Sequence, residues 1–170
     1  MNGLKIIDII LAKILKYFVV ALFASLAVLL LLRVLIRFFP IYKIYPNLSS
    51  MSWSEEVVGI LMSWMIFTTS SLIMRNNDHF KVTILDDKLK GTAFRNYFNA
   101  AIALIGIMFF IALTKYSWSL LIVGNQTTPI LKWSSRIPYS SIFVNSILML
   151  IYLIKEFIVN LVKIRYRDLS

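Results

Sequence analysis

Four apolar runs, separated by charged or proline-containing segments, constrain this chain more than any other feature of its sequence. They centre on VVALFASLAVLLLLRVLI, VVGILMSWMIFTTSSLIM, AAIALIGIMFFIALTKYSWSLLIV and SIFVNSILMLIYLIKEFIV. A run of about 20 such residues, rising 1.5 Å each as a helix, crosses the roughly 30 Å hydrocarbon core of a bilayer. Lipid offers no partner for backbone N–H and C=O groups, so a spanning segment of this kind must satisfy them internally as a helix. The pattern predicts an all-α integral membrane protein of four transmembrane helices, at about 17–39, 54–75, 92–123 and 139–162, forming one membrane domain over residues 1–170. Composition agrees: 59% of residues are hydrophobic and the mean hydropathy is +0.80.

The ends of the runs carry their own signals. Residues 1–16 interleave Leu4, Ile7, Leu11, Ile14 and Leu15 with Lys5, Asp8, Lys13 and Lys16, the rhythm of an amphipathic helix that lies on the membrane or leads straight into the first span. Pro40 and Pro46 stop that span. Ser52 followed by Glu55 is an S-x-x-E capping box, the start signal of the second helix. Arg75, Asn76, Asn77 and Asp78 close it, and a short amphipathic connection, DHFKVTILDDKLK, leads to the third run. That run exceeds the membrane thickness, so it tilts or projects. The first run follows three lysines, yet it continues into Arg33 and Arg37 without a small-residue cleavage site, and so reads as a retained span rather than a signal peptide.

Four spans place both termini on one side, and cations identify it. Lys5, Lys13 and Lys16, then Arg75, Lys81, Lys88, Lys90 and Arg95, then Lys155, Lys163, Arg165 and Arg167 fall on the side of the termini. Arg33, Arg37, Lys43, Lys115, Lys132 and Arg136 fall on the other. Twelve against six predicts cytoplasmic termini, with the loops at 40–52 and 124–138 outside. The net charge of +10 follows from this topology and does not indicate nucleic acid, because no basic face is left once the spans are removed.

Catalytic and cofactor chemistry find little support. The chain has no cysteine and a single histidine, His79, beside Asp78 in the polar connection, which is an incomplete metal site. One histidine also argues against a haem anchor with axial ligands inside a bundle. The expectation is a non-enzyme with no cofactor and no metal. An ion-coupled carrier needs an ionisable or broken-helix site near the bilayer midplane. Ser25, Ser63, Trp64, Thr68, Thr69, Gly106, Lys115 and Asn145 are what the spans offer, and they form no such site. The chain reads as part of a complex.

The charged residues that remain sit near the ends of the first two spans. Arg33 and Arg37, four apart, share a helix face. They either snorkel to lipid phosphate or pair with Glu55 and Glu56. Glu56, Gly59, Ser63 and Ser70 fall near one stripe of the second helix, where small residues allow another helix to approach, within this subunit or from a second protein. Trp53, Tyr116, Trp118, Trp133 and Tyr139 read as an interfacial aromatic belt. Lys43, Lys132 and Arg136 are candidates for contact with an acidic soluble partner.

The stretch SMSWSEEVVGILMSWMIFTTSSLIMRNNDHFKVTILDDKL resembles the central pattern of the small membrane (permease) subunit of TRAP transporters, the tripartite ATP-independent periplasmic carriers, of the DctQ-like or SiaQ-like kind. Trp53, Ser54, Glu55, Glu56, Trp64, Arg75, His79, Lys81, Val82, Leu85, Asp87, Lys88 and Leu89 occupy the positions of that pattern, and Thr128, Pro129, Leu131 and Tyr139 fit its last outer loop. Asp78, Thr83, Lys90, Ser134 and Phe143 depart from it. The resemblance implies a non-catalytic scaffold subunit of a bacterial inner-membrane importer. A large multi-span permease subunit would hold the organic acid and sodium sites, and a periplasmic substrate-binding protein would deliver a substrate such as a sialic acid or C4-dicarboxylate. In that setting Arg33, Arg37, Trp53, Glu55, Glu56, Gly59, Ser63 and Ser70 are inter-subunit or structural candidates, and membrane lipids are the remaining partner. Two other readings stay open: an autonomous four-helix exporter coupled to protons through Glu55 or Glu56, and a structural anchor for another membrane complex.

Overall fold

The computed structural model describes residues 2–39, 52–75 and 94–167. Four helices account for nearly all of them: α1 Asn2–Phe38, α2 Trp53–Arg75, α3 Phe94–Val123 and α4 Arg136–Arg167. Each is long and apolar enough to cross a membrane. The predicted amphipathic connection before α3 lies outside the described residues, as do Lys43 and His79.

Helix ends follow local chemistry. No glycine or proline interrupts the sequence between Leu4 and Phe39, so the amphipathic start and the first span form one helix of 37 residues. At about 55 Å it is much longer than the hydrocarbon core and must tilt or project. α2 begins directly after Ser52, whose carbonyl accepts from the Glu55 N–H at 3.2 Å. Glu55 and Glu56 in its first turn and Arg75 in its last complement the helix dipole. α4 starts at Arg136, three residues before the expected Tyr139. Pro138 falls within its first turn, where a missing N–H leaves no hydrogen bond unmade.

The described chain divides into two compact units, one of Met1–Thr69 with Leu120–Ile142 and one of Ser70–Ser119 with Phe143–Ser170. In the first, Leu26 of α1 is buried, and Phe18 meets Trp64 edge-on with centroids 5.9 Å apart. Most other apolar side chains of α1 face outward. In the second, Met74, Phe110, Met149, Tyr152 and Leu153 form a buried cluster, flanked by Ile107, Leu113, Leu148 and Leu150. Thr114 and Ser146 hydrogen-bond across α3 and α4 at 3.0 Å.

Of the largest fully buried side chains among the described residues only Leu153 is apolar; the others are Asn145, Thr68, Ser54, Ser71, Ser117, Ser141 and Ser146. This inverts the pattern of a water-soluble core. Lipid solvates leucine as well as a protein interior does, so helix contact is favoured instead by small residues and hydrogen bonds.

Candidate functional site

The best-defined polar site lies in the first unit, where the ends of α1 and α2 meet the loop between α3 and α4. It begins with the end of α3. Gly124 donates its N–H to Leu120 O at 2.9 Å, and a Cβ there would lie 2.6 Å from the same carbonyl. Only glycine fits this approach. The chain then folds back on itself: Thr128 N donates to Trp133 O at 2.8 Å, Ser135 N to Gln126 O at 3.0 Å, and Thr127 forms an isolated bridge with Ser134. The Thr128 hydroxyl accepts the Trp133 N–H at 3.0 Å. Closing so tight a turn puts Lys132 at φ 55°, the left-handed region that a β-carbon disfavours.

Glu56 holds this turn from across the fold. Its carboxylate accepts the Ile130 N–H at 2.8 Å and the Leu131 N–H at 2.9 Å. The Thr128 hydroxyl adds a side-chain hydrogen bond to the same carboxylate. Consecutive amides aimed at one carboxylate form an anion-binding nest, here filled from within the chain. Arg136 secures the base of the loop, donating from Nε to Gly124 O at 3.3 Å and from Nη2 to Asn125 Oδ1 at 2.7 Å. The neighbouring glutamate has a different partner: Arg33 Nη2 of α1 donates to Glu55 Oε1 in an ion pair that stays partly exposed.

The candidates therefore separate by role. Arg33 and Glu55 tie α1 to α2, while Glu56 ties α2 to the loop. Arg37 is exposed and has no ion-pair partner among the described residues. Trp53 opens α2 and is 40% exposed. Gly59 is exposed and a Cβ there would meet nothing within 4 Å; Ser63 turns its hydroxyl back onto Gly59 O at 3.0 Å. The surface of α2 is thus open at Gly59, with half-buried Ser63 and Ser70 further along the helix. Lys132 is exposed on the loop, whereas the guanidinium of Arg136 is engaged in holding it. Lys43 lies outside the described residues.

Two features escape a reading of the sequence. The nest at Ile130 and Leu131 uses backbone groups of ordinary apolar residues, 74 and 75 positions from Glu56. The Thr114–Ser146 pair is the second; each hydroxyl bonds a carbonyl one turn back in the manner of hydroxyl residues in apolar helices. A hydroxyl at similar depth in each of two spans was the available signal. Among the described residues no group of three or more His, Asp or Glu could hold a metal.

Comparison with protein families supplies the deciding observation: residues 26–163 match the model of the tripartite ATP-independent periplasmic transporters, DctQ component. The chain belongs to the DctQ family. It is thus a transporter small-permease component and a multi-pass membrane protein, in agreement with its four apolar helices. Comparison with curated proteins finds no match. Within this DctQ-family subunit the match includes Arg33, both glutamates and the whole of the loop they support.

Proposed function

We propose that this DctQ-family subunit is the static scaffold of a sodium-coupled bacterial inner-membrane importer for an organic acid, of the sialic acid or C4-dicarboxylate class. A large permease subunit carries substrate and sodium; a periplasmic binding protein delivers the acid; this chain clamps the permease in the bilayer with its termini in the cytoplasm. The observation that carries the reading, within the family, is the stapling of the α3–α4 loop by Glu56 and Arg136. A loop fixed at both its tip and its base suits a docking platform more than a moving part. Open space over Gly59 supports assigning the strip at Gly59 and Ser63 to the approach of another helix. The exporter reading is weaker, since it needs a carboxylate free to exchange protons, and both glutamates are engaged.

Co-purification from native membranes tests this. The wild-type chain is expected to bring down a much larger multi-span protein, and the double variant Glu55→Gln with Glu56→Gln to lose part of that yield and of the uptake. Unchanged assembly and uptake in the double variant would sink the role given to this site. Lys132 and Arg136 give the loop positive charge, which suits an acidic binding protein. Charge reversal at Lys132 should slow delivery with a strong dependence on salt while leaving assembly intact.

A further inference from the structure

Apart from the loop, the second unit contains a groove of about 430 Å³ between α3 and α4, lined by Ile111, Thr114, Lys115, Trp118, Phe143 and Leu150. That volume lies within the range of small-ligand sites, about 300–1,000 Å³. One wall is the Trp118 ring resting on Phe143, with centroids 5.1 Å apart. The Thr114 hydroxyl is occupied, bonded to Phe110 O at 2.7 Å and to Ser146 Oγ at 3.0 Å. Lys115 therefore provides the charge in an otherwise apolar surface, and it has no ion-pair partner among the described residues.

An unpartnered Lys115 on the apolar surface of a spanning helix is costly. It lies eight residues before the end of α3 at Val123, about 12 Å along the axis. The Cα–Cβ bonds of a helix tilt toward its N-terminus, here away from the nearer membrane face. An ammonium starting in that direction must bend back to reach the interface or receive an anion at its own level. Trp118, one turn nearer the face and 53% exposed, marks the interfacial zone into which a lipid phosphate reaches.

We propose that this groove is a binding site for an anionic phospholipid, with its phosphate on Lys115 and an acyl chain along Ile111, Phe143 and Leu150. Charge complementarity favours this occupant, and so does the rim. A partner helix docks best on small residues, as at Gly59, whereas Ile111, Lys115 and Trp118 are large and exposed. A flexible acyl chain accommodates such a surface. The inference stands whether or not the chain works in an importer.

Native mass spectrometry of the full chain in detergent, with equal amounts of phosphatidylglycerol and phosphatidylcholine of the same acyl chains, tests the site. Wild type is expected to retain one phosphatidylglycerol with a preference of about fivefold, the ordinary strength of one lysine on an anionic lipid. Lys115→Gln should remove the preference, Lys115→Arg should keep it, and Leu150→Trp should fill the groove and reduce retention of both lipids. Lys132→Gln, on the loop, should leave the lipid preference as in wild type, and circular dichroism identifies the variants that fold. An equal preference in wild type and Lys115→Gln overturns the proposal. So does competition by glycerol phosphate at the strength of the lipid, which indicates a site for a free anion. Undiminished lipid retention in Lys115→Gln with loss of a co-purifying membrane partner assigns the lysine to a partner carboxylate instead.

Discussion

Adjacent glutamates at the start of α2 look redundant in sequence, and the structure gives each its own partner. Glu55 faces Arg33, and Glu56 faces the amides of Ile130 and Leu131. Successive residues of a helix point about 100° apart, so one carboxylate turns to α1 and the next to the loop. Their value differs as well. An ion pair at an exposed edge contributes little, because water and salt screen it. A carboxylate taking two backbone N–H groups instead decides whether a turn closes, since both donors would otherwise need water. Glu56→Ala is expected to speed hydrogen exchange at Ile130 and Leu131 by roughly an order of magnitude and leave the Phe110 and Leu153 amides unchanged. Exchange measured by mass spectrometry checks this; equal protection in the variant would mean that the loop closes by its own bonds. Glu56→Gln should fall between, as one amide oxygen replaces the carboxylate and its NH₂ group faces a donor.

At the scale of elements, what sequence shows best is the interior of each helix. Continuous apolar stretches leave little choice in lipid, so α2 and the end of α3 fall where hydropathy puts them. Starts are harder. The first turn of a helix tolerates polar residues and proline, which is why α4 begins at Arg136 rather than at Tyr139. For α1 the sequence allows either a surface helix or a continuous one, and the lack of any breaker after Gly3 favours the continuous form that is seen. The α3–α4 loop is the least legible element, because its shape rests on contacts distant in sequence and on one close approach. Gly124→Ala tests that approach: with a Cβ 2.6 Å from Leu120 O, either the last turn of α3 or the loop must shift. The expected loss is about 1–3 kcal/mol, the usual cost of overpacking, read as a lower thermal midpoint in detergent. A midpoint equal to wild type would show that the loop re-forms around the methyl group at no cost.

For the whole molecule, hydropathy and the distribution of charge answer different questions. Hydropathy gives the number of spans, and the buried serines, threonine and asparagine show how helices associate once lipid has removed the advantage of burying leucine. Orientation comes only from the cations, and six of them oppose the assignment, including Arg33, whose charge is engaged by Glu55. The rule counts cations rather than net charge, so twelve against six remains the basis for expecting cytoplasmic termini. The absence of cysteine makes the test clean, since an introduced thiol is the one target in this chain for a membrane-impermeant maleimide. Gln126→Cys, exposed in the α3–α4 loop, is expected to react in intact spheroplasts; Ile6→Cys, exposed near the start of α1, should react only after the membrane is opened. The reverse pattern would turn the subunit over, moving the loop held by Glu56 to the cytoplasmic face and removing it as a landing surface for a periplasmic protein.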